Sequence, residues 1–162
     1  MLTQAAAQAG ARAHEELYSY WTSRREDGRL PCRASIHPAH FKRLLPTISL
    51  IDVSGNPLSY RVRLAGTGLY GVYGREITGQ TIEDIYSGPA AEYWRAELDK
   101  VVQERRPRAG MHSLAWRGAG HISILWLRLP LASNGQDVDM ILGYDGILGQ
   151  QSEIEASGIR AA

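Results

Sequence analysis

Residues 60–85, YRVRLAGTGLYGVYGREITGQTIEDI, constrain the fold more than any other stretch. They open as a strand: Tyr60, Val62 and Leu64 alternate with Arg61, Arg63 and Ala65, the period of a sheet with one buried face. Glycines then recur at positions 66, 68, 71, 74 and 79, with Leu69, Tyr70, Val72, Tyr73 and Ile77 among them. One long helix is excluded, because each interior glycine costs roughly 1 kcal/mol relative to alanine. The pattern predicts short helical turns laid over a sheet, with glycine where backbone comes close or takes a positive φ. Thr78 or Thr81 would cap the last turn, and Glu83 and Asp84 suit a helix start. A strand that runs into such turns is suited to wall a pocket.

Around this stretch the chain alternates helical and extended signals. Residues 4–25 predict a helix whose apolar stripe is Ala13, Leu17, Tyr20 and Trp21, stopped by Asp27-Gly28. That stripe fits packing against the following domain or a dimer contact through Leu17, Tyr20 and Trp21. Residues 28–46 hold three prolines and predict an irregular arm with a short helix over 38–44. His37 and His40 form an H-x-x-H pair in this arm, but no third ligand accompanies them, so exposed histidines account for them better than zinc.

Strands are predicted at 47–53 and 58–65, joined by the turn residues Ser54-Gly55-Asn56-Pro57. A long helix over 89–106 starts at Pro89, carries Ala91, Trp94, Leu98, Val101 and Val102 on one stripe, and stops at Pro107. Three strands follow, at 108–116, 121–131 and 139–145. The middle one, HISILWLRLPL, is apolar on both faces and reads as central, and Asn134-Gly135 marks the hairpin after it. The order implies an α+β domain: a five-stranded antiparallel sheet with the short helices and the long helix on one face, preceded by an N-terminal helix. Three regions result: helix and arm at 1–46, the sheet domain at 47–147, and a tail at 148–162 expected to be loose or a short turn.

Composition narrows function by exclusion. A formal net charge of +1 gives no global attraction for nucleic acid or an anionic membrane. No apolar run approaches the roughly 18 residues of a membrane span, and the N-terminus has no secretory pattern. The lone Cys32 rules out an intrachain disulfide and agrees with a reducing cytoplasm. No nucleophile elbow, P-loop, H-E-x-x-H or paired-cysteine pattern occurs, and the G-R-E-I-T-G glycines do not sit in a βαβ unit.

LLPTISLIDV, then YRVRLAGTGLYGVYGREITGQTIEDI, then a helix containing Tyr93-Trp94, resembles the PAS domain family. With YWTSRREDGRLPCRASIHP ahead of the first strand, the match over roughly residues 17–147 is similar to stand-alone PAS-like proteins of alphaproteobacteria. The resemblance implies the PAS fold and a non-catalytic sensory module that binds a small metabolite, a signalling protein in trans, or both, as a cytoplasmic homodimer. It also implies a ligand space between the sheet and the middle helices. Candidates there are Tyr70, Tyr73, Tyr86, Trp94, Leu98, Met111, His112 and Trp126. For Trp94 and Leu98, four apart on the buried stripe, core packing is the first explanation, whereas buried tyrosine hydroxyls need partners and would give a pocket a polar rim.

Cofactors of similar proteins are disfavoured on this chain. The axial histidine of haem-binding relatives is missing from residues 89–106, with only His112 on the next strand. Flavin photosensors and hydroxycinnamoyl-binding relatives use a cysteine near the pocket, and no cysteine follows Cys32. The cofactor stays unknown. Arg61 and Arg63 should point out of the core, as a solvated face or as a contact for an acidic partner or anion. The best enzymatic alternative is a cone-shaped α+β isomerase or hydratase, with Tyr73 and His112 or Asp139 as acid and base.

Overall fold

A computed structural model describes residues 4–148. Five strands form one antiparallel sheet: β1 (Ile48–Ser54), β2 (Ser59–Ala65), β3 (Arg108–Leu114), β4 (Ala119–Leu131) and β5 (Met140–Ile147). Their order across the sheet is β2-β1-β5-β4-β3. The two outer hairpins, β1–β2 and β3–β4, are therefore joined through β5, which pairs with β1 on one side and β4 on the other. The apolar β4, read as central, lies between β3 and β5.

Four α-helices accompany the sheet among the described residues: α1 (Gln4–Ser23), α2 (Leu69–Tyr73), α3 (Ile82–Ile85) and α4 (Pro89–Glu104). The glycine-spaced segment forms two short helices, as its pattern demands. Gly74 ends α2 at φ 73°. Thr81 caps α3 in a capping box: its side chain accepts from the Asp84 amide at 3.3 Å, and the Asp84 carboxylate accepts from the Thr81 amide at 3.0 Å. Gly66 lies where a Cβ would collide with the carbonyl oxygens of Leu45 and Pro46, so only glycine lets the arm close over the end of β2. Pro89 opens α4, which buries Ala90, Trp94, Leu98 and Val101. It stops two residues short of the predicted end, because Arg105 turns left-handed at φ 52°.

The predicted β3 extended to Trp116, but the strand ends at Leu114 and residues 115–117 form a 3-10 turn, with a register shift at Ser113/Leu114. A second irregularity corrects the reading of β2. Leu50 pairs with Leu64 and Ile51 with Val62, so Arg63 is an extra residue, a bulge. Tyr60 and Val62 face the middle helices, whereas Leu64 turns to the opposite face and is 47% exposed. The arm forms 3-10 turns over Arg33–Ser35 and Pro38–Thr47, the second covering the short helix predicted at 38–44 and running three residues beyond it. The predicted tail, from residue 149 on, lies outside the described residues.

α2, α3 and α4 cover one face of the sheet. α1 covers the other: Ala13, Leu17 and Trp21 are buried, the Trp21 indole donates to the Pro130 carbonyl at 2.9 Å, and His14 meets the Leu125 carbonyl at 3.1 Å. Of the residues expected at a dimer contact, Leu17 and Trp21 thus pack on the chain's own sheet. Tyr20 is half-buried, and its hydroxyl accepts from the His37 amide at 2.8 Å in the arm. Among the described residues, no helix is long and apolar enough to cross a membrane.

Candidate functional site

The space between sheet and middle helices is built by alternation on β4 and β5. On β4, Trp126 and Arg128 face the helices; on β5, Gly143 stands opposite Arg128 and Asp145 opposite Trp126. Gly143 leaves room for the guanidinium: a Cβ there would lie 3.2 Å from Arg128 Nη1. Arg128 reaches diagonally to Asp145, with Nη2–Oδ1 at 2.9 Å, and both side chains are almost wholly buried. Arg128 Nη1 also donates to the carbonyls of Leu127 and Tyr144 at 3.0 and 3.1 Å.

The helices bring aromatic side chains onto this pair. Tyr73 donates to Asp145 Oδ2 at 3.0 Å, and Tyr86 donates to the Tyr73 hydroxyl at 3.0 Å. Trp94 lies under the Arg128 guanidinium at 4.8 Å from ring centroid to Cζ, and Trp126 at 5.9 Å. Trp94 contacts Tyr86 at 5.6 Å and Trp126 at 5.1 Å between ring centroids, and Trp116 sits edge-on to Tyr86 at 4.8 Å. The cavity left, lined by Tyr73, Tyr86, Trp94, Leu98, Arg128 and neighbours, measures about 20 Å³. That is room for about one water molecule. Arg128 Nε and Trp94 Nε1 have no hydrogen-bond partner among the described residues, and both side chains line it.

The electrostatics suit a fixed structural network. Burial raises the Tyr73 phenol well above its ordinary value, and the neighbouring Asp145 carboxylate adds to this. The same two causes raise Tyr86. Burial is the largest influence on Arg128 and opposes its charge, but Asp145 together with Tyr73 and Tyr86 outweighs it and the guanidinium stays charged. Both tyrosines are therefore hydrogen-bond donors at neutral pH rather than acids.

The sequence pattern of the PAS domain family matches residues 10–145. This chain belongs to the PAS domain family. Members are generally sensory rather than enzymatic modules. Among solved structures, the PAS domain of Bordetella pertussis BvgS is similar at TM-score 0.53 and 20% identity, covering 74% of this chain and 92% of that one. The LOV protein of Rhodobacter sphaeroides is similar at TM-score 0.53 and 16% identity, covering 76% and 74%. At these identities the likeness concerns the fold. Comparison with curated proteins returns no match.

The PAS core brings together Tyr73, Tyr86, Trp94, Leu98 and Trp126, and two other candidates lie elsewhere. Tyr70 is 60% exposed, since on α2 the helical period turns Leu69, Val72 and Tyr73 inward and Tyr70 out. Met111 is 55% exposed on the edge strand β3, where it alternates with the inward Gly110 and His112. His112 stacks on Tyr93 at 4.3 Å and 7° between planes, and Tyr93 accepts from the Trp126 indole at 3.0 Å. The proposed acid–base set is not brought together: Tyr73 bonds Asp145, His112 stacks on Tyr93, and Asp139 accepts from Ser133 in the β4–β5 hairpin.

The two arginines singled out on β2 are exposed and each bonds within the chain through one nitrogen. Arg61 donates to the Gly79 carbonyl, and Arg63 Nε contacts both oxygens of Asp52 at 2.8 and 3.0 Å. A flavin or haem does not fit this PAS core: its cavity falls far below the roughly 300–1,000 Å³ of ligand pockets. Cys32 lies in the arm before β1, and α4 carries no histidine. Among the described residues, no cluster of three or more His, Cys, Asp or Glu side chains is placed to hold a metal.

Sequence reasoning missed Arg128 and Asp145, the centre of the PAS core. The signal was present as one arginine inside the apolar run HISILWLRLPL, since a central strand carries a charge only with a counter-charge on its neighbour.

Two histidines give the PAS fold a pH dependence. Burial lowers His14 below its ordinary 6.5, opposed by the bond to the Leu125 carbonyl, and burial also lowers His112. In the window between their folded values and 6.5, the unfolded chain binds more protons, so stability rises with pH there. The urea midpoint is expected to hold above pH 6.5 and to fall as pH drops below it. His14→Gln, which cannot titrate, should flatten that decline; an unchanged slope would show that His14 does not contribute.

Proposed function

We propose that this chain is a regulatory PAS module that acts in the cytoplasm by contact with a signalling protein in trans, its core filled by its own side chains. The observation that carries this reading is the core cavity of about 20 Å³, closed by the Arg128–Asp145 pair and the surrounding tyrosines and tryptophans. In this reading the Tyr86–Tyr73–Asp145–Arg128 chain ties α2 and the segment after α3 to β4 and β5. A shift of the short helices is thereby felt across the sheet. A homodimer through α1 would use the helix side turned away from the sheet, where Tyr18 is 48% exposed.

The purified protein should absorb only in the aromatic band. A co-purified chromophore absorbing at longer wavelength would overturn the self-filled core. Native mass spectrometry is expected to show a dimer, and a strict monomer would remove the α1 contact.

A further inference from the structure

On the far side of the sheet from this core, an open groove of about 500 Å³ runs between the arm and β1, β2 and β5. Its walls are apolar: Phe41 and Leu45 from the arm, Leu50 and Leu64 from the β1–β2 pair, and Leu142 from β5. The charged side chains that line it are Arg33 and Lys42, both exposed and both cationic, and among the described residues no carboxylate joins them. Arg33 spends one nitrogen, Nη1, on the Ile36 carbonyl at 3.1 Å. The bulge on β2 creates the groove's exposed wall, because it turns Leu64 out of the core and onto this face.

We propose that this groove binds a long-chain carboxylate, with the acyl chain along Leu45, Leu50, Leu64 and Leu142 and the carboxylate between Lys42 and Arg33. The volume falls within the range of small-molecule sites, and apolar walls with a few convergent polar groups are the usual lining of one. The one-signed rim selects an anionic head group. It also disfavours a second copy of this chain, because a two-fold interface sets the same patch against itself and would face cation to cation. The site has a path to the rest of the molecule: Phe41 packs on Tyr20 of α1 at 5.3 Å between ring centroids. An occupant that moves the arm therefore presses on α1. This inference does not depend on the trans partner proposed above, and failure of either leaves the other standing.

The test is a thermal-shift titration with laurate, below its micelle concentration, on the full chain and on Leu64→Glu and Lys42→Glu, with dodecanol as the uncharged control. Both positions are solvent-exposed, so both variants should fold, as circular dichroism would verify. Laurate should raise the melting temperature in a concentration-dependent way, because a ligand of the native state stabilises it by mass action. Leu64→Glu should abolish the shift, and Lys42→Glu and the dodecanol control should each weaken binding about tenfold. Absence of a laurate shift, a shift indifferent to Leu64→Glu, or equal binding of dodecanol would overturn the proposal. So would a dimer in sedimentation that Leu64→Glu dissolves, because the groove would then hold a second copy.

Discussion

Replacing Asp145 with alanine is expected to lower the unfolding free energy by about 3–5 kcal/mol, the cost of leaving a buried charge without its partner. Arg128 would keep its two carbonyl acceptors, Leu127 and Tyr144, but its guanidinium would stay wholly buried with no counter-charge. Tyr73 would lose its acceptor at the same time, and Tyr86 donates only to Tyr73. Urea unfolding followed by tryptophan fluorescence is a direct measure, since Trp94 and Trp126 both lie against Arg128. A loss under about 1 kcal/mol would mean that water reaches the guanidinium and that the core is not closed.

The double variant Arg128→Met, Asp145→Leu separates stability from specificity. Well-packed apolar residues in place of a buried ion pair are often neutral or stabilising. Recovery of most of the loss is therefore expected. If the pair exists to connect the short helices to the sheet, the double variant should fold yet exchange its α2 amides faster than wild type, because Tyr73 has lost its anchor.

Much of the fold was legible because it rests on local periodicity. The two-residue alternation in β2 and the apolar run of β4 located strands, and Pro89 with the Trp94–Leu98–Val101 stripe located α4. The glycines located the short helices because glycine limits backbone choice whatever surrounds it. What was not legible depends on non-local register. The bulge at Arg63 exists only in the pairing of β1 with β2, and it sent Leu64 to the face opposite the one that alternation implied. Arg128 and Asp145 are 17 residues apart on paired strands, and nothing in either strand alone says that they meet. Met111 and Tyr70 lie outside this core for a related reason, since each sits on the outward side of its element.

Trp21→Ala is expected to remove about 3–5 kcal/mol, the range for truncating a buried tryptophan. Three contributions act together. The indole is 1% exposed against the sheet, its N–H donates to the Pro130 carbonyl at 2.9 Å, and Arg25 lies over its ring at 5.2 Å. Trp21→Phe should lose less, because it keeps most of the apolar volume and forfeits mainly the hydrogen bond, a loss of about 1–3 kcal/mol if the Pro130 carbonyl is left unpaired. The measurement decides what α1 is. A helix that belongs to the fold gives a large loss in unfolding free energy, independent of protein concentration. A helix whose buried stripe serves instead as a contact between copies gives a wild-type monomer stability and a shifted association equilibrium. With Ala13, Leu17 and Trp21 all buried against the chain's own β4 and β5, the first result is expected. It would also assign the arm its role: it is the segment that joins a docked helix to the first strand, and its Phe41 carries contact from the groove to Tyr20 of that helix.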